Sequence, residues 1–404
     1  MNVVKIAWRN VWRNKRRSGV TIAAMTLALL VEVLYSGLVV GYMDGMERDL
    51  LDLEIGDVQI HANDYLERPS IYSAIESPNA LITQIEAQGF MAAPRQLAGA
   101  LAAGEESSAG VALRGIVVEL EAKVSSIGTA VAEGEWLDPN DPQGVVLGRR
   151  LARTLAVKPG DELVLLTQAY DGSMAHDLFS VRGILKGIAD GTDRSAVLMT
   201  EGSFRQLMEF PEAAHQIIVR RPEGSDLDAT AAVLRGIAPE LDVKTWKELM
   251  PLVASMFEST RGMIVVIFLV VYLAIAILVL NAMLMAVFER VREFGILKAI
   301  GFGPFRVFGL IVIEAGIQTA VALVVGLLLA LPGMWYLSRY GIDVGTLGGL
   351  SVMGLAMPPV WNGIYTLDTI AVPIFLLILI VLIAVLYPAL KAALIEPVKA
   401  MHHQ

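Results

Sequence analysis

Charge disappears from this chain in four long stretches, and between the first two it returns in a mixed pattern. Gly262–Phe288 holds no charged residue in 27 positions, and Thr369–Leu390 holds none either. Gly19–Tyr42 carries only Glu32 in 24 residues, and Val307–Leu337 carries only Glu314. Each stretch is long enough for a helix to cross about 30 Å of hydrocarbon. A fifth uncharged stretch, Val344–Leu367, is interrupted by Gly345, Gly348, Gly349, Gly354, Pro358, Pro359 and Gly363. A continuous helix is disfavoured there, so a partly buried loop is expected. The pattern predicts an α-helical integral membrane protein with spans at 18–42, 262–288, 305–337 and 369–390, and an outer loop at 338–368.

The insertion at 43–261 reads as a large extracytoplasmic α/β domain. Period-two and short apolar runs predict strands at Asp57–Ala62, Gly110–Val118, Val145–Leu147, Leu163–Thr167, Leu178–Leu185, Ala196–Thr200 and Gln216–Val219. Helical spacing predicts Ala80–Gln88, Arg149–Ala156, Glu201–Glu209 and Leu227–Ile237, with turns at Pro159-Gly160-Asp161 and Asp171-Gly172. Ala92–Gly110, rich in alanine, glycine and serine, reads as a mobile loop between two lobes. Trp246–Glu258 is expected to feed the second span.

Charge sets the orientation. Met43–Gly262 holds 34 acidic and 19 basic residues, a net charge of −15, while the remainder carries +6. An acidic bulk segment argues against a nucleic-acid partner. Residues 1–17 carry Lys5, Arg9, Arg13, Lys15, Arg16 and Arg17 without an acid, and Val4, Trp8, Val11 and Trp12 fall on one helical face. That composition predicts a basic amphipathic helix among lipid headgroups. Arg290, Arg292, Lys298 and Arg306 mark the segment 289–304, and Lys391 and Lys399 mark the tail 391–404, whereas the loop after the third span has Arg339 alone. Four spans put all three basic segments, and both termini, on the cytoplasmic side. The 24-residue first span is too long for a signal-peptide core, so an uncleaved span is expected.

Between the second and third spans, Val287–Pro304 (VFERVREFGILKAIGFGP) is a short amphipathic helix. Val287, Val291, Phe294 and Leu297 recur at helical spacing, and Glu289, Arg290, Arg292, Glu293 and Lys298 take other faces, turned to water and a partner. Gly301 and Gly303 can end it, and Pro304 suits the first turn of the next helix. Conventional chemistry is missing. The sequence has no GxxxxGK[ST] loop, GxSxG elbow, HExxH pair or GxGxxG turn. It has no cysteine, and its five histidines (His61, His176, His215, His402, His403) lack ligand spacing. Glu105-Glu106 and Asp161-Glu162 sit at turns, where solvation explains them. What remains is polarity inside the bilayer. Glu32 lies near mid-depth of the first span, Glu314 in the first turns of the third, and Asn281 near the inner end of the second, where it is expected to bond another helix. Ala315, Gly316, Ala320, Ala322 and Gly326 permit close packing of the third span.

The string ERVREFGILKAIGFG resembles the cytoplasmic coupling helix of the FtsX-like permeases, membrane subunits of ABC transporters of the MacB and lipoprotein-releasing (LolC/LolE) type. YPALKAALIEPVKAM, Tyr387–Met401, resembles that family's closing motif, and Gly134–Leu166 is similar to an outer-domain stretch of the lipoprotein-releasing branch. The resemblance implies that Glu289, Arg290, Arg292, Glu293, Gly295, Ile296, Leu297, Lys298 and Gly301 couple to a cytoplasmic ABC ATPase dimer. ATP and its magnesium would bind in that partner, so no cofactor is expected in this chain, which is a permease and not itself an enzyme. It implies a second permease copy or a paralogue, residence in a bacterial inner membrane, a lipoprotein substrate and a periplasmic carrier. Acyl chains would enter between the first two spans, past Leu34, Leu38, Val265 and Phe268. Glu314 resembles an acid that recurs at this place in the family and is expected to bond the coupling segment. Glu32 departs from the family, where an aliphatic residue is expected, and this speaks against a purely apolar cavity. Two alternatives share the resemblance: a non-transporting regulator of a cell-wall hydrolase like the cell-division FtsX, and a MacB-like exporter of peptides or antibiotics.

Overall fold

The computed structural model describes residues 3–222, 224–344, 351–352, 355–356 and 360–395. Gly345, Gly348, Gly349, Gly354, Pro358 and Pro359, and the end of the C-terminal motif with Lys399, His402 and His403, lie outside the described residues. In chain order the helices are α1 (Val3–Arg13), α2 (Lys15–Leu50), α3 (Pro78–Glu86), α4 (Val118–Val124), α5 (Arg149–Leu155), α6 (Asp190–Ser195), α7 (Glu201–Met208), α8 (Leu227–Ile237), α9 (Trp246–Leu249), α10 (Pro251–Glu289), α11 (Val291–Ala299), α12 (Pro304–Tyr340) and α13 (Leu367–Ala393). The strands of the main sheet and its neighbour are β1 (Val58–His61), β2 (Ile75–Glu76), β3 (Met91–Ala103), β4 (Ser108–Ile116), β5 (Val131–Gly134), β6 (Gly144–Leu147), β7 (Glu162–Gln168), β8 (Met174–Leu185), β9 (Ala196–Thr200), β10 (Ala213–Ala214), β11 (Gln216–Arg220) and β12 (Asp242–Thr245). The chain divides into two units, one made of Met1–Asp44, Phe257–Asp343 and Val360–Gln404, the other of Gly45–Met256 with Val344–Pro359.

The first unit is a helical bundle. Among the described residues, four helices are long and apolar enough to cross a membrane: Lys15–Ile55, Pro251–Glu289, Pro304–Tyr340 and Leu367–Ala393. They outrun the predicted spans, because a charge at a bilayer surface ends an apolar run without ending a helix. At ~1.5 Å per residue the 39 residues of α10 reach about twice the hydrocarbon thickness. Small residues let α2 and α12 approach closely. A Cβ on Gly326 would sit 2.8 Å from Leu29, and one on Gly37 would collide with Met334. Tyr272, Phe268, Leu310, Leu377 and Val381 fill the bundle's core. Two expectations change. Val11 turns into the bundle with Ala7, leaving Val4, Trp8 and Trp12 outward. Of the small residues in α12, Ala322 and Gly326 are buried, whereas Gly316 and Ala320 lie exposed beside α13 in an apolar groove of about 250 Å³.

The second unit is built on one ten-stranded sheet. Its pairings close a ring, β3-β4-β9-β6-β8-β7 and back to β3, and β11, β1 and β12 extend the sheet from the other half of β3. The expected mobile loop is thus the central strand. Met91–Ala103 runs 13 residues and pairs with β11, β4 and β7. Its alanines fit where little space exists: Ala92, Ala93 and Ala102 are fully buried, and a Cβ on the adjoining Gly115 would meet Phe204 at 2.7 Å. Leu113, Leu165, Val181 and Val197 from the ring pack with Leu151, Leu155 and Phe204 from α5 and α7. The predicted strands and helices coincide with β1, β4, β6 to β9 and β11, and with α3, α5, α7 and α8, within a few residues. The sequence pattern does not announce β12 or α4.

Candidate functional site

The segment 287–304 folds as α11 between two breaks. Arg290 has φ −118° and ψ 17°, which ends α10 and turns the chain. At the other end Gly301 adopts φ +97°, and Gly301 N–H and Phe302 N–H donate to Lys298 O and Leu297 O. Such a left-handed terminus is open to glycine at no steric cost. Pro304 then occupies the first turn of α12.

One side of α11 is fixed to the bundle. Phe294 and Gly295 are buried. Arg290, expected to face water, is instead 6% exposed, and its Nη1 donates to Glu314 Oε2 at 3.1 Å, itself 3% exposed. Its Nε donates to Glu293 Oε2 at 2.9 Å, and its guanidinium lies 5.1 Å from the Phe294 ring centre. A guanidinium in low dielectric needs such a partner, and Glu314, in the first turns of α12, provides it. Glu293 also accepts from Arg13 at 3.2 Å, and Glu289 accepts from Arg17 at 2.7 Å. Burial pushes the Glu293 carboxyl up, but the bonds from Arg13 and Arg290 outweigh it and hold the group below its ordinary value. Lys298 Nζ donates to Ala393 O and Ile395 O, both at 2.7 Å, and so caps the end of α13. The opposite side is open. Arg292 and Ile296 are not buried, Ile300 is 77% exposed and Phe305 is 90% exposed. Together they form an exposed charged and apolar strip along α11 and the turn that follows it.

Among the intramembrane polar groups, Glu32 is buried beside Tyr272, whose hydroxyl donates to Pro373 O at 2.6 Å. Tyr272 thus ties α10 to α13, while both carboxyl oxygens of Glu32 lack a hydrogen-bond partner among the described residues. Asn281 does not bond another helix of this chain: it is exposed on α10, and no hydrogen bond from its side chain occurs among the described residues. The four residues expected along an acyl path are not brought to one surface. Phe268 is buried in the bundle's core, Val265 is 59% exposed, Leu34 lies against Gly333 of α12, and Leu38 is half-buried.

In the second unit, the end of α2 passes into a single π turn, Leu51–Ile55, which three arginines of the sheet contact, while a fourth, Arg221 just past β11, holds Asp57 beyond it. Arg95 Nη1 donates to Glu54 O at 2.8 Å and its Nε donates to Glu121 Oε2 at 3.0 Å. Arg114 lies 3.7 Å from Glu54, Arg220 bonds Asp52, and Arg221 Nε donates to Asp57 Oδ1 at 3.1 Å. Arg95 and Glu121 are nearly inaccessible, so this root is tied by desolvated charge pairs. Sequence reasoning missed it, because its acids and arginines are scattered along most of the domain; an arginine within an alanine run, at position 95, was the available signal. The fold also brings two of the scattered histidines together. His61 Nδ1 faces His215 O at 3.1 Å, while His215 Nδ1 accepts from Leu97 N–H and its Nε2 faces Ile71 O. Burial holds both imidazoles below their ordinary pKa, and among the described residues no group of three metal-ligating side chains converges.

The FtsX-like permease C-terminal family model matches residues 265–397, and the MacB-like periplasmic core domain model matches residues 18–237. The lipoprotein-releasing system transmembrane protein LolC of Xylella fastidiosa is 24% identical over 417 residues, covering 97% of each chain. LolE of Haemophilus influenzae is 24% identical over 421 residues, covering 98% of each. An uncharacterized ABC transporter permease of Methanocaldococcus jannaschii is 26% identical over 213 residues; the match covers 50% of this chain and 51% of the relative, about half its length. Among solved structures, the periplasmic region of MacB from Actinobacillus actinomycetemcomitans aligns with 50% of this chain and 91% of its own, at 11% identity and a TM-score of 0.35.

Proposed function

Because the chain belongs to the FtsX-like permeases of the MacB/LolC/LolE type, whose members are transmembrane subunits of ABC transporters, we propose that it transmits the ATP-driven motion of a separate ATPase to its α/β domain and thereby releases lipoproteins from a bacterial inner membrane. One observation carries the reading: α11 is fixed on its inner side by Arg290, Glu314 and Phe294 and open on its outer side at Arg292, Ile296, Ile300 and Phe305. The partner binds ATP and magnesium. When its two halves close, the push on α11 reaches α10 through the Arg290 turn, α12 through Glu314 and α13 through the Lys298 cap. A rigid-body shift of packed helices needs only such contacts at its input end. In this reading the α11 side and both termini are cytoplasmic, the α/β domain faces the periplasm, and a carrier there receives the lipoprotein. Lipoprotein release is favoured by the LolC and LolE relatives, which run along nearly the whole chain. An exporter of the MacB kind is the second reading, favoured by the periplasmic core match over residues 18–237.

Ile300→Glu combined with Phe305→Glu is expected to lower co-purification of the ATPase at least tenfold while the protein stays in the membrane. Undiminished recruitment would remove α11 from the docking role. Mass spectrometry of the nucleotide-free complex separates the two readings, since a bound acylated protein supports lipoprotein release and a bound unacylated peptide supports export.

A further inference from the structure

Two buried histidines have no part in the transmission of force, and the bonds around them differ in kind. His215, on β11, is complete as a neutral ring. Its Nδ1 accepts from Leu97 N–H at 3.0 Å and its Nε2 faces Ile71 O at 3.0 Å, so its proton sits on Nε2. A second proton would set Nδ1–H against Leu97 N–H. His61, on β1, meets the opposite situation. Its Nδ1 faces His215 O and its Nε2 faces Gln59 Oε1, both at 3.1 Å, and both of these oxygens are acceptors. A neutral imidazole has a single N–H and satisfies one of them. Turning the Gln59 amide over does not help, because its Nε2 donates to Ile55 O at 2.8 Å and the turned amide would set Oε1 against that carbonyl. Only a ring with two N–H groups leaves no acceptor facing another acceptor.

We propose that His61 is a proton-binding site, and that its imidazolium closes a hydrogen-bonded chain from His215 O on β11, through Gln59 on β1, to Ile55 O at the end of the π turn that follows α2. Water cannot stand in for the missing donor. His61 is 2% exposed and Gln59 7%. From β12, Asp242 pairs with His61 across the strands and favours the charged ring, and Lys244, 3.3 Å from that carboxylate, offsets part of the attraction. From the segment 62–74, the Tyr65 ring lies parallel to His61 at 5.4 Å between centres and offers a cation its π face. From β11, His215 stays neutral. Burial opposes the charge and holds His61 below its ordinary 6.5, so the ring is neutral at pH 7 and takes its proton below that ordinary value. Without the proton, one acceptor–acceptor contact stays in the chain. Under the reading above, which puts the α/β domain in the periplasm, the site responds to acidity on that side; the hydrogen bonds themselves stand apart from that reading.

Deuterium exchange at the imidazole C2 position, read by mass spectrometry across a pH series, titrates each histidine of the full-length protein. His61 is expected to take a proton at pH values where His215 is still neutral. Gln59→Met removes the acceptor at similar volume and is expected to weaken the proton affinity of His61 about tenfold, the scale of one hydrogen bond to a charged group. Gln59→Glu is expected to strengthen it at least tenfold, since a carboxylate then faces the ring. His215 is expected to keep its titration in both variants. Backbone amide exchange of β1 in the same samples shows whether each variant is folded, and either variant alone suffices for the test. A His215 that takes its proton before His61, or a His61 whose affinity is the same in a folded Gln59→Met or Gln59→Glu protein as in the parent, would overturn the proposal.

Discussion

Replacing Arg290 with alanine is expected to lower nucleotide-driven release by more than tenfold while the partner ATPase continues to turn over. The guanidinium is the only cation found within reach of Glu314 among the described residues, and both groups are almost inaccessible. Removing one member of a desolvated pair leaves the other charge uncompensated, at a cost of about 3–5 kcal/mol. The helix pair can escape that cost only by letting Glu314 reach water, which means prising α11 from α12. The docking strip would still exist, but its push would no longer arrive. ATP hydrolysis and release measured together in proteoliposomes check this. A proportional fall in both would mean that Arg290 supports docking and not transmission. The charge-reversed combination of Arg290→Glu with Glu314→Arg is expected to recover part of the coupling. Arg13→Ala is expected to do little, because the Arg13–Glu293 pair is half exposed and such pairs contribute about 0–1 kcal/mol.

Arg95→Ala is expected to be the most damaging single change in the α/β domain. Arg95 ties Glu54 O in the π turn and Glu121 in α4, from the strand that joins both halves of the sheet. Its loss strands Glu121, again at about 3–5 kcal/mol, a large share of the stability of an ordinary domain. The expected result is loss of amide protection along β3 and β4 in hydrogen exchange of the full-length protein. Acid should act in the same direction. Burial alone would raise the Glu121 carboxyl, but Arg95, through charge and hydrogen bonds, prevails and holds it below its ordinary 4.5. A group depressed on folding contributes stability that is complete above its unfolded value and is lost as pH falls toward its folded value. Protection of β3 is therefore expected to be level at neutral pH and to fall below about pH 4.5 in the native protein. In Arg95→Ala this acid dependence should vanish or reverse.

Much of this architecture can be read from the amino acids, and the misreadings have physical causes. Hydropathy marks the membrane helices because apolar length is a direct requirement of the bilayer, but it says nothing of how far a helix continues into water. Strands with alternating branched residues, such as Glu162–Gln168, announce themselves; β3 does not, since alanine and glycine have weak strand preference and only tight packing from both sides selects them. Arg290 is charged and adjoins a membrane helix, so water is the natural expectation. Its true neighbour, Glu314, lies 24 positions on, and only the turn at Gly301–Pro304 brings the two together. For Asn281 the sequence predicts a bond to another helix, because an amide in lipid requires a partner; among the described residues its side chain forms none.

The sharpest measurement is of motion in the α/β domain. With a spin label on Glu105→Cys, at an exposed turn of the α/β domain, distances between labels in the assembled complex can be read with and without ATP. The expected result is a shift in the distance distribution on ATP binding that disappears when Arg290→Ala is added. A complex that hydrolyses ATP at its normal rate while the label distances stay unchanged would contradict the transmission of force through α11.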